Sequence, residues 1–508
     1  MISTYRSLLA ATVALAASAA CFPQLARAHD AHDDSAPQTL LFNLEPFVDP
    51  AGIVATYNAN GRIDTRNAFF QSLGTNGRSC ATCHVASQAM SISPPDIRRR
   101  FDSTRGQDPL FAGVDGANCP NVKRGDRSGH SLVLENGLIR IGMVVPPTAQ
   151  FTISVVHDPY GCALVTDRAT GQVTASIYRR PLPTANISFL SAVMWDGRET
   201  ISPLTTGSTF LGNLQGDLSH QATSAVNTHA QAATPPTTAQ LTQIVNFELG
   251  LFTAQVWDWS AGDLAAHGAR GGPVQLANQE YYPGINDVLG ADPTGEAFDS
   301  SAMSAFAAWS QAGKTRADRN EDGGAAARRA IAAGEQIFNT TPLTITAVRG
   351  LNDNAALGKP ASFQGTCTTC HDSPNVGHHS LPLPLDIGIG HPTLPNFESD
   401  PNIVAALAEV DAANLPIFRI DGCPDPFNPA VTAPAYTTDP GKALVSGQCG
   451  DLNRLKGPIL RGLAARAPYF HNGAAANLTQ VVEFYDKRFQ MNLSHPQQMQ
   501  LVAFLNSL

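Results

Sequence analysis

Cys80-Ala81-Thr82-Cys83-His84 and Cys367-Thr368-Thr369-Cys370-His371 are two copies of one pattern, C-x-x-C-H, set nearly 300 residues apart in a chain of 508. Two thiols with two residues between them lie about one helical turn apart, so both can form thioethers to the two vinyl groups of one haem. The histidine that follows then faces the ring and ligates its iron. A lone C-x-x-C also fits a zinc half-site or a dithiol redox pair. Zinc needs four ligands brought together, and a thioredoxin-like pair needs no adjacent histidine. Two complete motifs therefore predict two covalently bound c-type haems, held by Cys80, Cys83 and His84 and by Cys367, Cys370 and His371.

Working outward, the N-terminus reads as a secretory signal: Arg6, an apolar run from Leu8 to Ala20, and the small-x-small site Ala26-Arg27-Ala28. Residues 1–28 are expected to be removed, which implies an exported, periplasmic protein. Cys21 leaves with the signal, and Ser18 stands where a lipobox would carry Leu or Val. Cleavage removes Arg6 and Arg27 and no acids, taking the formal charge from −9 to −11. Such an acidic chain is not suited to nucleic acid or to anionic membranes, but it is compatible with a small basic redox protein. No later tract is long and apolar enough to span a membrane. In an oxidising compartment, pairing within each half would join Cys119 to Cys162 and Cys423 to Cys449; four free thiols are the alternative.

Periodicity predicts helices from about Asp64 to Leu73, from Thr237 to Trp257 (through Leu241, Ile244, Val245, Leu249, Phe252 and Val256), from Gly324 to Phe338, from Leu478 to Phe489 and from Pro496 to Leu505. Residues 29–60 read as an extended lead-in. Leu138–Ile141 and Phe151–Val156 are β-branched and partly alternating, which predicts a small β-rich insertion at about 130–180. The resulting division is 29–260, a linker region at 261–323, and 324–508. Asp318-Arg319-Asn320-Glu321-Asp322-Gly323-Gly324 lacks the spacing and terminal Glu of an EF-hand and reads as a solvated helix lead-in. Met90 and His130 are the nearest downstream candidates for a second ligand to the first iron. Met90 lies in an apolar turn and reads as core, which predicts a first haem that is open on one side or weakly closed.

Trp195-Asp196-Gly197-Arg198-Glu199 and Arg466-Ala467-Pro468-Tyr469-Phe470-His471-Asn472-Gly473, taken with both haem motifs in this order, resemble signatures of the bacterial di-haem cytochrome c peroxidase/MauG family over about residues 60–508. The resemblance implies a mainly α fold of two cytochrome-c-like helical domains, each binding one haem. It implies that Trp195 is an electron path between the haems. The sixth ligand of the second haem falls on Tyr485, where cytochrome c peroxidases carry Met and MauG carries Tyr; Met491, His471 and the His378-His379 pair are the alternatives. On the open face of the first haem the family places a Gln and an acid. Here Gln221 and His229 are the candidates, no Glu is evident, and Gln231 holds the corresponding spacing. The family's calcium ion would find carbonyl donors at Arg466 and Pro468, although Arg180 falls where an Asn usually contributes.

The implied activity is reduction of hydrogen peroxide at the first haem, with electrons entering through the second from a cytochrome c or cupredoxin. A MauG-like oxidase or oxygenase acting on a protein or organic substrate, and a di-haem electron carrier without catalysis, are the two alternatives.

Overall fold

A computed structural model describes residues 40–201, 210–313, 323–392 and 400–508. The expected signal segment, residues 29–39 of the lead-in and Asp318 to Asp322 lie outside the described residues. Both C-x-x-C-H motifs adopt the same local structure. Cys80–Thr82 and Cys367–Thr369 are single 3-10 turns. The amide of Ser79 donates to Thr82 Oγ1 at 3.0 Å, and that of Thr366 donates to Thr369 Oγ1 at 2.9 Å. His84 N donates to Cys80 O at 3.1 Å and His371 N to Cys367 O at 3.0 Å. Each turn is thus closed across its two cysteines, by side chains that the two motifs share.

The helices expected in the second half are present as Ala325–Thr340, Leu478–Phe489 and His495–Asn506. They enclose a core that includes Phe306, Trp309, Phe338, Val482 and Phe504. Two expected helices are corrected. Asp64–Leu73 holds only the short turn Ala68–Phe70. Thr238–Leu249 is helical, but the chain then passes through Gly250 into the strand Leu251–Asp258. That strand pairs antiparallel with Gly52–Asn58, so its buried apolar residues satisfy a sheet and not a helix face. A strand buried on both sides reads as a continuous apolar run, which periodicity does not separate from a helix.

The fold class expected from the family resemblance is overturned as well. Among the described residues helix accounts for only 31% and strand for 15%, so the fold is mixed α and β and not mainly α with two cytochrome-c-like helical domains. The difference lies in the segments around the haem motifs. Ile139–Val144, Val173–Arg179 and Leu164–Thr166 form one antiparallel sheet. Thr152–His157 leaves that sheet and pairs with Ile417–Asp421, which also pairs with Ala435–Thr437. The expected strands of the insertion exist, but one of them is completed by the second half of the chain. Disulfides Cys119–Cys162 and Cys423–Cys449 brace both ends of this region. Phe42–Leu508 forms one compact unit; of the preceding unit the described part is the extended Leu40–Leu41. Among the described residues no helix is long and apolar enough to cross a membrane.

Candidate functional site

Each motif opens onto its own cavity. The first, about 1430 Å³ with its mouth included, is lined by Cys80, Cys83 and His84 and also by Trp195, Gln221 and His229. The second, about 1790 Å³, is lined by Cys367, Cys370, His371, Trp195 and Tyr485. Trp195 is the sequence-predicted residue common to the two walls. Its indole N–H donates to Arg180 O at 2.8 Å, and its ring centroid lies 6.2 Å from that of His471.

The donor atoms suit a covalently held haem. None of the four motif cysteines is in a disulfide. His84 Nδ1 lies 3.2 Å from Met90 O, and His371 Nδ1 lies 2.6 Å from Gly377 O, each a carbonyl six residues on. A carbonyl partner fixes the N–H at Nδ1 and leaves Nε2 as the free lone pair, the arrangement of a metal-bound imidazole with its supporting hydrogen bond. Burial pushes both histidines down to about 4, so both rings are neutral near pH 7. An aromatic ring backs each one: Phe69 at 6.3 Å from His84 and Phe338 at 5.9 Å from His371.

The two cavities differ on their remaining walls. In the first, Gln221 comes from the Phe210–Thr228 helix and His229 follows that helix directly. His229 Nδ1 bonds Asp115, whose other oxygen takes the Arg78 guanidinium. Burial works to raise the Asp115 carboxyl, but His229 and Arg78 outweigh it and hold it below the usual carboxylate range. Asp115 and Arg78 both line the cavity, and sequence reasoning did not select either. Arg78 stands two residues before Cys80, which is a usable signal. Asp115 is 114 positions from His229 and carries none. Glu248 is a further buried acid on this wall, pushed up to about 8 by burial and therefore protonated at neutral pH. Met194 also lines the cavity. Met90 is core, and both His130 nitrogens are engaged by the Asp126 and Phe111 carbonyls. Gln231 is turned away, with its amide oxygen accepting from Asn76.

In the second cavity, Tyr485 lies on the Leu478–Phe489 helix with its ring near Phe470 and Phe489, at 6.2 and 5.8 Å. Burial raises its phenol well above the ordinary value. Met491, His471 and His379 share this cavity; His378 is not on its wall. Of the two expected calcium donors, the Arg466 carbonyl is already engaged. The Arg466 carbonyl accepts from Arg180 Nη2 at 3.2 Å, and the same guanidinium donates to Gly137 O and Ile92 O. A buried cation of the chain itself thus takes one lone pair of the Arg466 carbonyl.

No protein-family model matches the chain. A cytochrome-c peroxidase of Denitromonas iodatirespirans is 30% identical over 152 residues, 28% of this chain and 36% of that protein. The cytochrome c551 peroxidase of Nitrosomonas europaea is 34% identical over 127 residues, 22% of this chain and 37% of that one. A cytochrome-c peroxidase of a Pseudomonas species is 24% identical over 164 residues, 29% of this chain and 38% of that one. A solved chain of Kuenenia stuttgartiensis hydrazine synthase, 14% identical, covers 82% of this chain and 93% of its own with a TM-score of 0.29, too low to bear on the fold. The matches span little more than a third of the length of these curated relatives, and on that part the chain is distantly related to proteins named cytochrome-c peroxidases.

Proposed function

We propose that the chain is an exported di-haem c-type oxidoreductase that reduces hydrogen peroxide to water at the His84 cavity and receives electrons through the His371 cavity. One observation carries this reading: the two motif-bearing cavities share Trp195, and the wall of the His84 cavity brings the His229 imidazole, held by Asp115, together with the Gln221 carboxamide. Cys80 and Cys83, and Cys367 and Cys370, would bind the haem vinyl groups, with His84 and His371 as axial ligands. Haem supplies the redox-active iron at each site.

The chain's own groups would handle the protons. Asp115 fixes His229 with its N–H at Nδ1, so Nε2 is free to take a proton from one peroxide oxygen and return it to the other. Gln221 would orient the peroxide by hydrogen bonding. Overall, one peroxide, two electrons and two protons give two waters. The electrons would come from a small redox protein, and the acidic charge of the chain supports a basic one.

Tyr485 supports a second reading. A phenolate ligand stabilises higher oxidation states, which suits MauG-like oxidation of a protein or organic substrate. Three measurements separate the readings. Pyridine haemochrome analysis should give two haems per chain. The resting EPR spectrum should show one high-spin and one low-spin ferric centre, and peroxide should react rapidly with the former. Two low-spin centres with no peroxide response would leave an electron carrier. Tyr485→Phe should change only the low-spin signal; an unchanged spectrum would exclude that ligand and the second reading with it.

A further inference from the structure

Behind the second motif, three buried side chains turn unpartnered ligand atoms toward one point. Asp287 is 1% exposed, Asp372 0% and His379 5%. Asp287 uses Oδ2 to accept from the amides of Leu289 and Ala291, at 2.9 and 3.2 Å. Its Oδ1 is left without a partner. Asp372 uses Oδ1 to accept from Ser380 N at 2.7 Å, and its Oδ2 is left bare. His379 Nδ1 lies 3.0 Å from that oxygen, within ion-pair distance for a protonated ring, but off the direction of a good hydrogen bond. The ligand atoms of the three residues lie within 4.8 Å of one another.

Backbone amides thus hold each carboxylate by one oxygen and aim the other inward. Two buried carboxylates facing each other are costly unless a cation compensates them. Neither carboxylate has a Lys or Arg ion pair among the described residues. A divalent ion would neutralise both and satisfy all three orphaned atoms. The imidazole decides its class: Ca²⁺ and Mg²⁺ prefer all-oxygen shells, whereas a mixed nitrogen and carboxylate set suits first-row ions such as Zn²⁺ or Mn²⁺.

We propose that Asp287, Asp372 and His379 bind one first-row divalent cation, distinct from both haem irons, which clamps the loop behind His371. Asp372 and His379 bracket this loop, and Gly377 within it supplies the carbonyl that fixes His371 Nδ1. The ion would tie the loop to the Asp287 turn and so position the second axial histidine. This site stands on its own residues and does not depend on the peroxidase reading.

The test uses the full-length haem-loaded protein, purified without a polyhistidine tag. Elemental analysis should find about one Zn or Mn per chain in addition to the haem iron, or one iron in excess of haem. After chelator treatment, calorimetric titration with Zn²⁺ and with Mn²⁺ should show one site for at least one of the two. Asp287→Asn and His379→Gln should each weaken it at least about a hundredfold, beyond the range typical of outer-shell changes, with two haems retained. Absence of binding in the wild-type titration, binding of Ca²⁺ alone, or unchanged affinity in both variants overturns the proposal. If the variants lose haem or fail to fold, the wild-type titration decides: one first-row site supports the ion, and no site leaves a proton shared by Asp372 and His379 in its place.

Discussion

Glu335 shows how a single buried carboxyl couples this fold to pH. It lies in the Ala325–Thr340 helix, 3% exposed, and both its oxygens accept from Phe306 N, at 3.0 and 3.2 Å. Burial pushes its carboxyl up to about 7, only partly offset by that amide and by Arg461. The folded chain therefore holds this proton more tightly than the unfolded one, whose Glu titrates near 4.5. The stability this group contributes is fully present below pH 4.5 and is lost as pH rises through 7. The loss amounts to about 3 kcal/mol at 1.36 kcal/mol per unit. Glu335→Gln keeps an acceptor for Phe306 N and removes the titration. Urea melts at pH 5.5 and 8, which span part of that range, should show wild type losing stability with pH and the variant losing about 2 kcal/mol less. Parallel losses in both proteins would remove Glu335 from the explanation.

At the scale of elements, the segment joining the two halves is the three-stranded sheet Thr152–His157, Ile417–Asp421 and Ala435–Thr437. Cys423 leaves the central strand and is fastened to Cys449, 26 residues on. Closing a loop of that length stabilises by about 3.5 kcal/mol through the unfolded chain. A Cys423→Ser/Cys449→Ser pair should lower the denaturation free energy by that order, with haem content intact, when compared by urea titration. A change under about 1 kcal/mol would mean that the sheet holds without its brace. This region also marks the limit of what the sequence discloses. Strand character in Phe151–Val156 is visible as local β-branching, but its partner lies more than 250 residues away and has no local trace. The helices Leu478–Phe489 and Ala325–Thr340 are legible because one apolar stripe suffices to specify each. Leu251–Asp258 misleads because it is buried on both faces. The motif residues are legible because covalent chemistry fixes their spacing; Asp115, Asp287 and Asp372 are not, because only folding brings them to their partners.

On the scale of the whole molecule, the two cavities share a wall made of Arg180, Pro181, Leu182 and Trp195. Trp195 borders both, and its backbone carbonyl accepts from Lys456 N at 2.8 Å while its indole donates to Arg180 O. Beside it, Arg179 forms buried ion pairs with Asp196 and Asp439, at 2.5 and 2.6 Å, so residues from both halves are locked around the indole. A buried ion pair of this kind is costly to break from one side, which favours a rigid junction over a hinge. If the indole carries electrons between the haems, Trp195→Phe should leave two haems per chain and both axial ligations unchanged. It should cost only about 1 kcal/mol of stability, the net worth of one hydrogen bond. Electron transfer between the two centres should nevertheless slow by at least about tenfold, equivalent to a barrier increase of about 1.4 kcal/mol or more. Stopped-flow absorption of the one-electron-reduced protein mixed with peroxide reads this step directly. An unchanged rate with normal haem content would make Trp195 a packing residue of the shared wall and send the electron path through another group.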